Sequence, residues 1–206
     1  MNKSHYLLLF ILPFLFLACD KSNIEYENDF EKSYQTWLNF KTSHNDSYRY
    51  VVNGSSWAGY AWQTVLIVQA GEVTERTFHY TVYNDYRIPE AGWSLETTQE
   101  MLDSLSRRYQ VNIERLPSAD SIFRTLIWNE NKSNLNDPVH GGGAPTWTLD
   151  QVYEQAKNDW LRKRDNAHTS FEAKNNGLIS SCGYWEDGCM DDCFRGIRIS
   201  GIEGGE

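Results

Sequence analysis

Two long β-type segments separated by only two residues place the strongest constraint on how this 206-residue chain folds. Residues 62–69 (WQTVLIVQ) are rich in β-branched side chains, and apolar and polar side chains alternate in residues 72–83 (EVTERTFHYTVY). The connection is Ala70-Gly71, and so short a connection joins antiparallel strands only, because parallel strands need a long crossover. The pair therefore predicts an antiparallel hairpin, to which residues 48–52 (YRYVV) add a third strand.

One helix is predicted before these strands and a second one well after them. In residues 28–40 the apolar side chains recur at positions i, i+4, i+7 and i+8, which lie on one face of a helix. Thr148 and Gln151 have the spacing of a capping box, which predicts that the second helix begins there.

Residues 84–147 are less regular, and we interpret them as an insertion between the two parts of the domain. Thr97 and Glu100 have capping-box spacing and predict one short helix. The apolar face of residues 118–128 predicts another helix, and the Asn, Gly and Pro content of residues 129–146 predicts a loop.

Three more strands are predicted after the second helix, at residues 171–173, 178–184 and 193–202. Asn175-Asn176-Gly177 is a strong hairpin turn signal between the first two of them. The order of elements predicts an α+β fold, an antiparallel β-sheet with helices packed on one face, and suggests two α-β-β-β halves around the insertion. We assign residues 28–206 to a single domain of this kind.

The N-terminus has the pattern of a secretory signal. Lys3 provides a basic start, residues 6–17 form an apolar run, and the small residue Ala18 precedes Cys19. The run is shorter than the roughly 20 apolar residues that a transmembrane helix needs. The segment therefore predicts export from the cytoplasm.

The junction Phe16-Leu17-Ala18-Cys19 resembles a bacterial lipobox. The resemblance implies a lipoprotein signal peptide at residues 1–18, lipidation of Cys19, and a short polar tether at residues 19–27. Several acyl chains would anchor the protein stably in a membrane. The predicted location is the bacterial cell envelope, at the outer membrane or cell surface in preference to the inner membrane. An ordinary signal peptide with a chance cysteine is the alternative.

The charge balance argues against nucleic acid as a partner. The chain has 28 acidic and 19 basic residues, a formal net charge of -9, and so lacks the basic footprint of a nucleic-acid-binding protein. Anionic lipid surfaces would also repel it, which leaves the lipid anchor as its predicted contact with the membrane. No cofactor is predicted, because the glycines after His140 lack the Lys-Ser/Thr of a phosphate-binding P-loop.

Short landmarks at both ends of the predicted domain form a recognisable series. In chain order they are Trp37, Tyr48-Arg49-Tyr50, Leu66, Val68, Gly71, Val73, Val152-Tyr153, Phe171, Gly177, Leu178-Ile179 and Asp191-Asp192. The series resembles the bacterial domain-of-unknown-function family 6174, and the resemblance does not extend to residues 84–147. Many members carry Cys-x-Cys between the first strands, where this chain has Asn53-Gly54-Ser55. The resemblance implies the fold and a lipoprotein context, but no activity.

The stretch CGYWEDGCMDDC, which begins at Cys182, contains three cysteines and four carboxylates within twelve residues. A register that pairs Leu178 with Ile197 puts two apolar residues on the buried face of the closing hairpin. In that register Cys182 lies opposite Cys193, where Cβ atoms are about 4.5–5.5 Å apart. We therefore predict a Cys182–Cys193 disulfide, formed in the oxidising envelope. The pairings Cys182–Cys189 and Cys189–Cys193 stay open.

A metal site and thiol redox chemistry are weaker interpretations of the same stretch. Three cysteines without a nearby histidine make a poor zinc ligand set, and the Cys-x-x-Cys motif of thiol redox proteins is missing. Asp187, Asp191 and Asp192 are candidate calcium ligands, but their spacing differs from that of an EF-hand loop. We favour a solvated acidic loop and assign no metal.

The chain shows no recognisable catalytic motif, so the predicted function is non-enzymatic binding of an envelope protein or a glycan. Aromatic side chains in predicted loops can anchor such a partner, although local packing is the alternative for each of them. The candidates are Trp57, Tyr60, Trp93, Trp147 and Trp185. The alternative function is an envelope hydrolase that uses a loop histidine such as His140, and it requires a pocket in which that histidine meets a carboxylate.

Overall fold

A computed structural model describes residues 23–205 of the chain. The helices are α1 (Glu27–Ser43), α2 (Leu95–Tyr109), α3 (Ala119–Leu126) and α4 (Leu149–Gln155), and a π-helical turn (Ala156–Trp160) continues α4. The strands are β1 (Tyr48–Ser56), β2 (Tyr60–Gln69), β3 (Glu72–Tyr83), β4 (Tyr86–Arg87), β5 (Ile127–Asn131), β6 (Ala167–Glu172), β7 (Ser181–Glu186) and β8 (Arg195–Gly204).

The eight strands within residues 23–205 belong to one antiparallel sheet, which confirms the predicted α+β class. The strand order is β4-β3-β2-β1-β8-β7-β6, and β5 also pairs with β3. The three strands that follow α1 and the three that follow α4 therefore lie side by side, joined where β1 meets β8. The predicted hairpin is present as β2 and β3, with Gln69 opposite Glu72 and left-handed backbone at Ala70 and Gly71.

The main core lies between the sheet and the helices α1 and α4. Trp37 of α1 is fully buried, and its ring centroid lies 5.1 Å from that of Tyr48 on β1 and 6.2 Å from that of Tyr153 on α4. The Tyr48 hydroxyl accepts a hydrogen bond from the backbone N–H of Leu149 at 2.8 Å. Each helix is therefore fixed to the sheet by aromatic side chains that also meet each other.

A second, smaller core lies under the insertion, where α2 and α3 pack near Tyr80 of β3. The predicted cap of α2 is wrong by one turn. Ser94 is the N-cap, because its hydroxyl accepts from the Thr97 N–H at 3.1 Å while the Thr97 hydroxyl accepts from the Ser94 N–H at 2.8 Å. Thr97 is thus the third helical residue of a capping box that starts at Ser94, and not the N-cap.

The helix predicted over residues 118–128 is too long, and the loop predicted from residue 129 starts too early. The α3 helix ends at Leu126, and residues 127–131 form β5 along β3. Trp128 of β5 stacks on Phe78 of β3, with ring centroids 5.1 Å apart and planes inclined by 12°. The free edge of β3 and this aromatic contact override the local helical pattern.

The residues just before α1 form backbone hydrogen bonds with the rest of the domain. The Asn23 carbonyl accepts from the Lys163 N–H at 3.0 Å, and the Glu25 N–H donates to the Leu161 carbonyl at 2.7 Å. The described end of the 19–27 tether segment thus pairs with the chain that follows the π-helical turn. The predicted signal peptide and Cys19 lie outside the described residues. Between residues 23 and 205, no helix has both the length and the apolar character that crossing a membrane requires.

The closing hairpin corrects the predicted disulfide. Cys182 lies opposite Ile197, not Cys193, because Leu178 pairs with Asn175 to complete the turn and β7 begins only at Ser181. Cys182 thereby occupies the core face of the sheet, fully buried and without a disulfide. The disulfide instead joins Cys189 to Cys193, with their Cα atoms 6.0 Å apart. This pairing is one of the two alternatives that the sequence left open.

We expect alkylation to separate these three cysteines. Burial raises the pKa of the Cys182 thiol and keeps reagent away from it, so iodoacetamide should not label the native protein at this residue. After denaturation without reductant, Cys182 should carry the label, and Cys189 and Cys193 should stay unlabelled. Peptide mass spectrometry measures this directly. Label on Cys189, with Cys182 protected, would restore the pairing that the sequence predicted.

Candidate functional site

The sheet opens at one end because β1 and β8 separate there. They pair only between Tyr48 and Val52 of β1, and the register shifts between Val51 and Val52. Beyond that point β1 continues to Ser56 beside β2, while residues 195–198 of β8 pair with β7. The result is a cleft between the two strands, closed on the helix side by residues 142–147 and Trp160.

The cleft contains a cavity of about 520 Å³ on the helix side of the sheet, which we call the inner cavity. Its aromatic lining comes from four different parts of the chain, namely Trp62 of β2, Trp147 before α4, Trp160 of the π-helical turn and Phe194 before β8. The polar residues Asn53, Ser55 and Ser56 also line it. This volume and mixed lining are typical of small-molecule sites.

Trp62 keeps its place in the wall because the residue opposite it is a glycine. Gly54 and Trp62 are paired across β1 and β2, and a Cβ atom on Gly54 would lie 2.2 Å from the indole ring. That separation is far below van der Waals contact, so a larger residue at position 54 would displace the ring. The indole of Trp62 therefore lies directly over the β1 backbone at the point where the cleft opens.

The indole N–H groups of the three tryptophans that line the inner cavity are not paired within residues 23–205. Trp37 and Trp93 donate from Nε1 to protein acceptors at 2.8 and 2.6 Å, as buried tryptophans usually do. Within the described part of the chain, Trp62, Trp147 and Trp160 have no such acceptor, although Trp160 is only 6% exposed. The cavity lining therefore includes three indole rings whose N–H groups have no acceptor among the residues that the structure describes.

A buried carboxylate holds the loop that forms one wall of the cavity. Glu130 is fully buried and accepts two hydrogen bonds of 2.8 Å from Nε and Nη2 of Arg76. It also accepts from the backbone N–H groups of Asn136 and Asp137 at 3.0 and 3.1 Å, and its Oε1 lies 3.1 Å from Nδ1 of His140. Residues 136–140 are thereby fixed to the sheet edge.

Arg76 also contacts Ala144, one of the residues that line the inner cavity. Arg76 Nη1 donates to the Ala144 carbonyl at 3.0 Å, and the Ala144 N–H donates to the Thr64 hydroxyl at 3.0 Å. Burial acts to raise the pKa of Glu130, but the hydrogen bonds from Arg76, Asn136 and His140 outweigh it and lower that pKa. Glu130 is therefore a carboxylate at neutral pH, with its charge neutralised by Arg76.

The contact between His140 and Glu130 is the one that the hydrolase alternative required, and a cavity of about 690 Å³ lies beside it. The carboxylate is, however, already occupied by Arg76 and two backbone N–H groups. The His140 ring stacks on Trp128 with centroids 4.7 Å apart, and its Nε2 has no hydrogen-bond partner among residues 23–205. The arrangement anchors residues 136–140 to the sheet edge through the Nδ1 side of the His140 ring.

A second cavity, of about 800 Å³, lies on the face of the sheet away from the helices, and we call it the outer cavity. Polar residues of β6, β7, β8 and the β6–β7 connection line most of it, together with Trp185. The two cavities share Asn53, Phe194 and Arg198 as lining residues. They are therefore two parts of one cleft, separated by these side chains.

The loop before β8 is tied across the mouth of the cleft. Asp192 accepts from the Ser56 hydroxyl at 2.6 Å and from the Trp57 backbone N–H at 3.2 Å. The Cys189–Cys193 disulfide encloses Asp192 in a short covalent loop. The β7–β8 connection is thereby joined to the β1–β2 turn, and Phe194 is held between the cavities.

Of the five predicted binding aromatics, the structure places three around this cleft. Trp147 lines the inner cavity and Trp185 lines the outer one. Trp57 lies next to Ser56 at the rim and is 73% exposed, but lines neither cavity.

Tyr60 and Trp93 lie apart from the cleft and pack locally. The Tyr60 hydroxyl bonds to Asn84, and the ring lies 5.3 Å from that of Tyr83. Trp93 is 7% exposed and donates to the Tyr80 carbonyl. For these two residues the alternative of local packing is the one that the structure supports.

Sequence reasoning missed Trp62, Trp160, Phe194 and Arg198 as cleft residues. Trp62 and Trp160 fell within a predicted strand and a predicted helix, where burial was the simpler interpretation. The available signal was the Gly and Ser content of residues 53–56, which indicated the end of a strand. In the structure β1 continues through these residues, and their small side chains leave room for the cavity.

The candidate calcium ligands do not come together. Asp192 binds the β1–β2 turn, and Asp187 Oδ1 lies 3.1 Å from Nε2 of His168. In the part of the chain that the structure describes, no three His, Cys, Asp or Glu side chains form a group that could hold a metal ion.

A comparison of the chain with family models, curated proteins and solved structures finds no match. The similarity to the domain-of-unknown-function family 6174 therefore stays a prediction based on short motifs.

Proposed function

We propose that this protein is a lipid-anchored binding protein of the bacterial cell envelope, and that its inner cavity binds a carbohydrate. The observation that carries the proposal is the set of three indole rings with unpaired N–H groups around one cavity. The signal pattern and lipobox-like junction at Cys19 support the envelope location and the lipid anchor.

The chemistry of the lining favours a sugar over a purely apolar ligand. An apolar ligand would remove water from the three indole N–H groups without offering acceptors, and each unpaired buried donor costs free energy. A sugar ring has C–H faces that pack on aromatic rings and hydroxyl oxygens that accept hydrogen bonds. At the same cavity, the Ser55 hydroxyl and the Asn53 side-chain NH2 group can pair with the remaining hydroxyls, while the Ser56 hydroxyl is bound to Asp192.

The hydrolase alternative is less well supported, because its histidine is part of a structural anchor. Both carboxylate oxygens of Glu130 are occupied, and the His140 ring is stacked against Trp128. A binding function requires no such base. It requires a shaped cavity with fixed walls, and the Glu130 cluster supplies one of those walls.

The direct test is a glycan array probed with the full chain purified in detergent, followed by calorimetry with each glycan that binds. We expect Trp147→Ala to weaken binding roughly tenfold or more, because an aromatic contact and an N–H donor are lost together. Tyr109→Ala is the matched control, since Tyr109 is an aromatic residue that is 56% exposed on α2 and lines neither cavity. Failure to bind any glycan on the array, or unchanged binding by Trp147→Ala, would refute the proposal.

A further inference from the structure

Arg198 is a cation in the cleft without a carboxylate partner. It lies on β8, with its guanidinium carbon 4.0 Å from the centroid of the Phe194 ring. Among the described residues its guanidinium forms no ion pair and no hydrogen bond. Arg195, three residues earlier on the same strand, instead lies 3.6 Å from the Glu186 carboxylate. The five N–H donors of the Arg198 guanidinium are thus all available.

The position of Arg198 sets it apart from an ordinary surface arginine. It lines both the inner and the outer cavity, and its guanidinium lies over the Phe194 ring, where a cation–π contact is favourable. The carboxylates near it are otherwise engaged. Asp192 accepts from Ser56 and the Trp57 N–H.

Glu172, which also lines the outer cavity, is paired with Lys174 at 2.8 Å. Neither Asp192 nor Glu172 therefore neutralises the positive charge of Arg198 at the junction of the two cavities. A planar guanidinium with free donors suits a carboxylate or a sulfate, since both can accept two parallel hydrogen bonds from it.

We propose that the carbohydrate bound in the cleft carries an acidic group, a carboxylate or a sulfate, and that Arg198 binds this group. The inference rests on the proposed carbohydrate-binding function and adds the class of glycan. The sugar ring occupies the aromatic inner cavity, and its acidic substituent reaches the junction with the outer cavity.

The net charge of the chain does not oppose this contact. The charge of -9 is spread over the chain, and salt screens interactions beyond about 8 Å at physiological ionic strength. A direct pair with Arg198 acts at hydrogen-bond distance and is screened much less. Long-range repulsion would slow the arrival of an acidic glycan more than it would weaken the bound state.

The test compares acidic glycans with their neutral counterparts on the same array. The acidic set carries uronic acid, sialic acid or sulfate, and the neutral set holds the methyl-esterified or desulfated forms of the same glycans. The proteins are the detergent-purified full chain and its variants Arg198→Met, Arg198→Lys and Arg195→Met. Calorimetry at low and high salt then gives dissociation constants for each acidic glycan that binds and for its neutral form.

We expect the unmodified protein to prefer at least one acidic glycan, and Arg198→Met to bind that glycan about 10- to 100-fold more weakly. Arg198→Lys should keep part of the preference, and Arg195→Met should keep all of it. Equal binding of acidic and neutral forms overturns the acidic class. An Arg198→Met variant that retains the full preference overturns the role of Arg198, and either result leaves carbohydrate binding in place. Binding of no glycan overturns both proposals.

Discussion

Replacing Glu130 with alanine is expected to lower the free energy of unfolding by about 3–5 kcal/mol, the usual cost of removing one partner from a buried ion pair. The Arg76 side chain is only 7% exposed, so it would be left charged and unpaired inside the protein. The backbone N–H groups of Asn136 and Asp137 would lose their acceptor at the same time. Chemical denaturation followed by circular dichroism measures the change.

Lys132→Ala is the matched control for this experiment. Lys132 pairs with Glu72 at 2.6 Å and also links β3 to the chain after β5, but both side chains are about two-thirds exposed. An exposed pair contributes little, so the unfolding midpoint of Lys132→Ala should stay close to that of the unmodified protein. If Glu130→Ala is as stable as Lys132→Ala, the buried pair does not anchor the loop.

The same carboxylate predicts the direction of acid sensitivity. Because the folded-state pKa of Glu130 is lowered from its ordinary value of 4.5, folding favours the ionised form. Its contribution to stability is complete above the pKa of the unfolded state and is lost as the pH falls through the lower folded pKa. The loss of stability between neutral pH and acid should therefore be smaller in Glu130→Ala than in the unmodified protein.

Local signals were sufficient wherever a short stretch of sequence determines its own structure. The two-residue connection at Ala70-Gly71 fixed the β2–β3 hairpin, and the strand predicted at residues 72–83 has the observed bounds. Thr148 caps α4 with Gln151 as its capping-box partner, as predicted. These features depend on turn geometry and periodicity, which the sequence shows directly.

Features that depend on a distant partner were missed. Residues 127 and 128 continue a helical pattern and residues 129–131 resemble a loop, but together they form a strand because the edge of β3 is available. The register of the last hairpin depends on how Asn175 and Leu178 close the turn, and a shift there moved Cys182 into the core. The cleft depends on where β1 and β8 part, and the Gly and Ser content of residues 53–56 does not by itself show which neighbouring strand separates there.

Replacing Trp37 with alanine is expected to cost about 3–5 kcal/mol of stability, as for other buried large-to-small aromatic substitutions. The side chain is fully buried, and its ring contacts Tyr48 on the sheet and Tyr153 on α4. Its Nε1 donates to Asp150 at the start of α4 at 2.8 Å. The substitution would therefore create a cavity at the point where both helices meet the sheet.

Trp57→Ala is the control of the same residue type. The Trp57 side chain is 73% exposed, so its removal should leave the unfolding midpoint nearly unchanged. Trp37→Phe should fall between the two, since it keeps an aromatic ring in the core but loses the hydrogen bond to Asp150. Urea denaturation of the three variants gives the order of stability. Equal stabilities of Trp37→Ala and Trp57→Ala would show that α1 is not held to the sheet through this residue. The expected order would instead establish Trp37 as the contact through which the first helix, the sheet and the last helix stabilise one another.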